Sequence, residues 1–199
     1  MKFETLLFGL LSLAPMITAG PLPCVQGTLA SYIALGVSGC AVGKIEFVNF
    51  SYSAKAGGGA PEITPDLIQV NPLLGVPDAA SLVFSANWQA AAGQSQESLI
   101  QYTVIETSPH TSGSLTLTLG LSQAGQPGAA VVSENTSVGD NQVYLACGQN
   151  CRGKTTDTLD FTPVPGHFHV AHQVTVNSSK GNTSLAGFTT LVNLCPRCV

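Results

Sequence analysis

Apolar and polar side chains alternate with a period of two through most of this chain, and that period decides the fold class. In Ser114–Leu121 (SLTLTLGL), Leu115, Leu117, Leu119 and Leu121 share one face while Thr116, Thr118 and Gly120 take the other. This is the pattern of a half-buried strand with threonines toward solvent. Leu82, Phe84, Ala86 and Trp88 form a second such row in SLVFSANW. Ile100, Tyr102 and Val104 alternate within 98–107, but Leu99 and Ile105 make the opposite face partly apolar too. Two apolar faces predict a strand packed between layers or running through the domain interior. In IEFVNFSYS, at 45–53, the apolar parity slips from Ile45 and Phe47 to Val48, Phe50 and Tyr52. A β-bulge absorbs a slip of one residue.

Val143, Leu145 and Cys147 mark another short strand, and Leu159, Phe161 and Val164 begin the next. Segments 168–176 and 184–194 follow, joined by NSSKGN, a turn sequence. Glycine and proline gather between the runs, in AGGGAP at 56–61, across 71–77, and in GQPG at 125–128. None of these joints is long enough for an interdomain linker. Helical patterning is confined to Gln26–Leu35, a candidate short helix near the start of the mature chain. About eight to eleven short strands with turn-rich joints predict an all-β domain, an antiparallel β-sandwich of jelly-roll or related type. No fixed period marks a solenoid or propeller.

The N-terminus has a different pattern. Leu6–Leu13 is an uncharged apolar run after a start that carries one lysine, and small and turn-forming residues fill 14–20. Cleavage after Ala19 would place Ile17 and Ala19 at the positions a signal peptidase reads, and the run is too short to span a bilayer. Residues 1–19 are therefore expected to be a secretory signal and 20–199 a single exported domain. Pro23 before Cys24 fits a lipoprotein signal poorly, so a released chain is expected. The formal charge is −4, and signal removal takes away one lysine and one glutamate and leaves it unchanged. No basic run collects phosphates, so a nucleic-acid partner is not expected. After the signal no stretch reaches membrane-spanning length.

All six cysteines, Cys24, Cys40, Cys147, Cys151, Cys195 and Cys198, lie beyond the signal, and an even number in an exported chain points to disulfides. Sequence alone leaves the connectivity open. The local pairing Cys24–Cys40, Cys147–Cys151 and Cys195–Cys198 encloses three short segments and would clip the termini and one loop. The CPRC ending has redox-motif spacing, but no helix can follow Cys198 within this sequence to lower a thiol pKa. The Cys147–Cys151 spacing, with Gly and Asn inside it, reads as a loop staple.

HFHVAH at 167–172 holds three of the four histidines. On a strand, Phe168, Val170, His172, Val174 and Val176 share one face, while His167, His169, Ala171, Gln173 and Thr175 share the other. His167 and His169 can thus meet one metal ion, and His172 points through the sheet away from them. Two imidazoles do not complete a zinc or copper site. His110, Asp157 or Asp160 would have to supply a third ligand, and no spacing brings them close. His167 and His169 are accordingly a weak surface metal candidate, with no cofactor expected.

Other chemistry has less support. No nucleophile elbow or phosphate loop is present. Asp157 and Asp160 would be the acid pair for glycosidic chemistry, though acids near a turn are common on any surface. Trp88, Tyr32, Tyr52, Tyr102 and Tyr144 could line a sugar-binding face, but Trp88 lies in the apolar row of its strand, which favours the core. No set of residues reads as catalytic.

The opening GTLASYIALGVSGCAVGKIEFVNFSYS, following Cys24, resembles a group of exported bacterial proteins of unknown function, found in acidobacterial and related genomes and often carrying a PEP-CTERM sorting signal. The matching residues are Cys24, Gly27, Thr28, Leu29, Tyr32, Gly39, Cys40, Phe47, Phe50 and Tyr52. GQSQESLIQYTV at 93–104, DTLDFTPV, and VTVNSSKGNTSLAGFTTLVN resemble later segments of that group. The resemblance implies export and a β-rich surface protein, and nothing about substrate. A sorting tail would need Pro-Glu-Pro, an apolar helix and basic residues, whereas this sequence ends LCPRCV; release without anchoring and truncation both remain open. Asn135, Asn177 and Asn182 match the N-glycosylation acceptor pattern, which the bacterial resemblance turns into a Ser/Thr/Asn-rich surface.

The combined expectation is a non-enzymatic, secreted or cell-surface structural or matrix-associated protein. The alternatives are an extracellular module that binds carbohydrate or protein, and a weak metal binder using His167 and His169. An outward aromatic patch would favour the binding module, and a uniform Ser/Thr exterior would oppose it.

Overall fold

The computed structural model describes residues 20–75, 78–107 and 110–195. The expected signal at 1–19 and the expected Cys195–Cys198 pair fall outside this range, the latter because Cys198 does. Fourteen strands and one short helix follow in order. They are β1 (Gly27–Thr28), α1 (Leu29–Ala34), β2 (Cys40–Val42), β3 (Ile45–Gly57), β4 (Gln69–Leu74), β5 (Ala79–Ala90) and β6 (Gln94–Glu106). Then come β7 (Ser112–Leu119), β8 (Ser122–Gln123), β9 (Gly128–Thr136), β10 (Gly139–Cys147), β11 (Cys151–Lys154), β12 (Thr156–Phe161), β13 (His167–Ser178) and β14 (Thr183–Cys195). One sheet orders the strands β1-β4-β5-β14-β7-β12, with β8 beside β14. The other runs β11-β10-β9-β13-β6-β3-β2. All pairs among these strands are antiparallel. The expected antiparallel sandwich is the fold, and the short helix lies within the segment that predicted it.

Thr28 starts α1 because its hydroxyl caps the Ser31 amide, and Leu29 and Tyr32 turn inward from the single short helical face. The parity slip in β3 is a real bulge. The register against β6 shifts between Val48 and Ser51, and Asn49 adopts φ 57° there. Ile45, Phe47, Val48 and Phe50 are all buried as a result. The two sheets press their inner rows together around a ring cluster. Phe84 of β5 stacks on Phe188 of β14 at 5.0 Å, and Phe50 on Tyr102 of β6 at 5.1 Å. Trp88 is fully buried, and its indole N–H donates to the Ser98 hydroxyl at 3.0 Å.

Several expectations need correction. Leu121 lies past the end of β7 and is 85% exposed, so the apolar row closes at Leu119. Leu99 and Ile105 are only half-buried: β6 is central within its sheet, but no second layer covers its outer face. Segment 71–77 is not all connection, because Gln69–Leu74 is strand β4. Pro72 is tolerated there since β1 pairs only with Gln69 and Val70, leaving the edge at Pro72 without a ladder bond to make. Val164 lies beyond β12. The strand total exceeds the expected range because β1, β2, β8 and β11 are two to four residues long and β9 was not expected.

Two disulfides form in the local pairing, Cys24–Cys40 and Cys147–Cys151. The first ties the N-terminal strap to edge strand β2, where the Cys24 amide donates to the Ala41 carbonyl. Gly39, beside Cys40, has φ 51°, and a Cβ on it would stand 2.2 Å from the Phe47 carbonyl oxygen. Gly39→Ala must therefore displace β3 as well as adopt a left-handed backbone. It is expected to cost about 2 kcal/mol or more, read as a lower denaturant midpoint at an unchanged m-value. An unchanged midpoint would contradict this packing.

Candidate functional site

β13 has the alternation its sequence predicts. Phe168, Val170, His172, Val174 and Val176 are buried, and His167 and His169 are exposed on the outer face. His169 Nδ1 lies 2.9 Å from the Thr103 hydroxyl on β6. Among the described residues, no group of three His, Cys, Asp or Glu side chains is arranged to hold a metal ion. His110 is elsewhere, at one end of the sandwich. Its Nδ1 hydrogen-bonds the Glu106 carboxylate, and its Nε2 is 3.7 Å from Asp78 Oδ1. Lys44 in turn bonds Asp78 at 2.9 Å. The His110 side chain is 2% exposed, so this set ties loops together, and a reactant has no room at the ring.

Asp157 and Asp160 do not form an acid pair, since their odd spacing on β12 sends them to opposite faces. Asp157 accepts from the Gln142 amide on β10 at 3.0 Å and pairs with Lys154 at 2.7 Å, which joins the two sheets along one side. The Gln142 amide, then Lys154, hold its carboxyl below the usual carboxylate range. Asp160 faces solvent beside Ser114 and Asn193.

The aromatic residues divide unequally. Trp88, Tyr32 and Tyr102 are core, and the half-buried Tyr52 directs its hydroxyl inward to the Ile63 carbonyl and Ser98. Tyr144 is the exception. Val143 and Cys147 on β10 turn into the core, so Tyr144 and Ala146 face outward. Cross-strand register builds two outer rows from this hairpin: Asn177, Ala129, Ala146 and Arg152 in one, and Thr175, Val131, Tyr144 and Lys154 in the next.

These rows shape a groove of about 420 Å³. Its floor includes Ala129 and Ala146, whose methyl side chains are too short to fill the surface above them. Tyr144 stands on one side, with Asn150, Arg152 and Asn177 around the rim. The Cys147–Cys151 disulfide closes the β10–β11 hairpin, where Cys147 and Cys151 are register partners, and so fixes Arg152 opposite Ala146. The arrangement offers an aromatic face, amide donors and acceptors, and a guanidinium around a low floor. It contains no paired acid and base.

Elsewhere this outer face mixes amides and hydroxyls with the half-buried Leu99 and Ile105. A smaller hollow of about 240 Å³ beside the β3 bulge is lined by Asn49, Ser51, Gln101, Thr103 and His169. Asn135 and Asn177 are exposed on the same face, and Asn182 is exposed in the turn after β13.

The most unexpected polar group is buried. Glu134 on β9 lies directly across from His172 on β13 and from Asn141 on β10, and all three turn into the core. The Thr190 hydroxyl from the facing sheet donates to Glu134 at 2.7 Å, and the Asn141 amide donates to it at 3.0 Å and to the Leu115 carbonyl at 3.1 Å. Tyr102 and His172 Nε2 are 2.9 Å apart. Burial raises the Glu134 carboxyl above its ordinary range and pushes His172 down to about 3. The two face each other at 3.7 Å, and burial disfavours the charged form of each.

No family model matches the chain, and no curated protein does. Among solved structures, the enzymatically active domain of tailspike protein 4 of bacteriophage CBA120 is 15% identical over 74% of this chain, with a TM-score of 0.31. This chain spans 19% of that one's length. TmCBM61, solved with β-1,4-galactotriose, is 8% identical, with 73% of this chain and 88% of that one covered and a TM-score of 0.27. The family 11 carbohydrate-binding module from Clostridium thermocellum, solved with a mixed-linked tetrasaccharide, is 10% identical, with coverages of 70% and 87% and a TM-score of 0.23.

Proposed function

We propose that this chain is a secreted or cell-surface binding domain without catalytic chemistry, and that it takes a glycan in the groove beside Tyr144. The observation that carries the reading is the outer row Asn177, Ala129, Ala146 and Arg152 with Tyr144 next to it. A sugar ring presents one apolar face of C–H groups and an edge of hydroxyls. Tyr144 matches the first by stacking, and Asn150 and Asn177 match the second by hydrogen bonding. The low alanine floor lets a ring approach the sheet. Two disulfides among the described residues accord with export, and no described helix is long and apolar enough to cross a membrane. The purely structural role expected from the sequence leaves the groove unexplained.

The test is a glycan-binding screen on the oxidised protein, with affinity electrophoresis for the polysaccharides retained. Tyr144→Ala is expected to weaken binding roughly tenfold, the equivalent of about 1.4 kcal/mol. Trp88 fluorescence should be unchanged, because Tyr144 faces away from the core. Binding that survives Tyr144→Ala at full strength, or no glycan retained at all, overturns the reading.

A further inference from the structure

We infer that the glycan in this groove is anionic, carrying carboxylates of the uronic-acid type; the inference rests on the glycan reading above. The chain is acidic overall and poor in cations, so the placement of each cation is informative. Lys44 bonds Asp78 at 2.9 Å, and Lys154 bonds Asp157 at 2.7 Å. Lys55 stands directly across from Glu97 in the β3–β6 register. By ion-pair distance Lys55, Arg152 and Lys180 all lack a carboxylate partner among the described residues, and of the three only Arg152 lines this groove. Lys180 is exposed in the turn immediately after Ser179, which also lines the groove. No aspartate or glutamate is among the lining residues.

An unpaired guanidinium in a hollow lined by no carboxylate gives an acidic protein a local potential opposite to its net charge, and that potential attracts an anion. Arg152 supplies the geometry as well. Its guanidinium is a planar fork that meets a carboxylate through two parallel N–H···O bonds. Held opposite Ala146 by the disulfide-closed hairpin, it stands on the same face as the Tyr144 ring. A uronate stacked on Tyr144 directs its carboxylate outward from the ring edge, where Arg152 can reach it. Lys180 adds attraction at longer range and needs no fixed contact. Sulfate esters share the negative charge but lack the planar two-oxygen match.

The experiment measures retention of the oxidised protein on polygalacturonate, a sulfated galactan, a neutral galactan and poly-glutamate, at low and high salt. Polygalacturonate is expected to bind best and to weaken as salt rises. Arg152→Gln should weaken it about 10- to 100-fold, and Arg152→Lys should recover only part of the loss. Lys180→Gln should weaken it less than Arg152→Gln. Circular dichroism and Trp88 fluorescence of each variant check the fold. Neutral galactan bound as tightly as polygalacturonate, dependent on Tyr144 and indifferent to Arg152, overturns the anionic ligand and leaves the glycan reading intact. Preference for the sulfated galactan overturns the uronate assignment, and equal retention by poly-glutamate shows that charge alone is recognised and overturns it too. Retention by none of the glycans sinks both readings.

Discussion

Replacing Glu134 by alanine is expected to destabilise the protein by about 3–5 kcal/mol, a large share of the total stability of a domain this size. The cost arises less from the carboxyl itself than from the groups it serves. Thr190 on the facing sheet loses the acceptor it reaches at 2.7 Å, and Asn141 loses one of its two acceptors. His172 Nδ1, already without a hydrogen-bond partner, loses the carboxyl 3.7 Å away. All these atoms are buried where water does not replace the missing partners. Glu134→Gln keeps the shape and most of the bonding, and should cost no more than about half as much. Adding Asn141→Leu and Thr190→Val to Glu134→Leu removes the stranded donors together, and should recover part of the loss. The measurement is urea unfolding followed by the sole tryptophan, Trp88. A loss under about 1 kcal/mol for Glu134→Ala would mean that water reaches this row.

This same residue shows what the sequence could and could not reveal. The period-two pattern identified β3 with its bulge, β5, β6, β7, β13 and β14, because each has an apolar row long enough to stand out. β9 lacks one: Ala130 and Val132 are followed at the inward position by Glu134, so the row breaks and the segment reads as a polar connection. In β4, Pro72 masks a strand that is legal only because its neighbour β1 is so short. The parity of His172 was legible, and so was its separation from His167 and His169. Its acidic neighbour was not, since Glu134 and Asn141 meet it only through the β9–β13 and β9–β10 registers. The groove has the same character. Tyr144 could be placed on the outward parity of β10 from Val143 and Cys147 alone. Ala129, Arg152 and Asn177 join it through three pairings between strands, and periodicity within one strand carries no register between strands.

The buried row also predicts a pH response in which two variants move in opposite directions. His172 is pushed down to about 3 from an ordinary 6.5, so between those values the unfolded chain binds a proton that the folded one refuses. Its contribution to stability is full above pH 6.5 and is lost as pH falls toward 3, on the order of 5 kcal/mol in all. Glu134 has the opposite sign. Its carboxyl is raised above 4.5 by burial, so the folded chain holds the extra proton, and stability is lost as pH rises through the raised value. In the wild type the two slopes oppose each other from 4.5 up to the raised Glu134 value, and below 4.5 the acid loss of His172 stands alone. Glu134→Gln removes one side and exposes the acid loss of His172 from about pH 6.5 downward. His172→Gln removes the other, and stability should then rise on acidification toward 4.5. The remaining histidines and surface carboxylates are common to all three proteins and cancel when the profiles are subtracted. Denaturant midpoints measured from pH 3 to 8 check the crossing. Parallel profiles for the two variants would show that His172 and Glu134 titrate as one coupled unit, and would overturn the opposite signs.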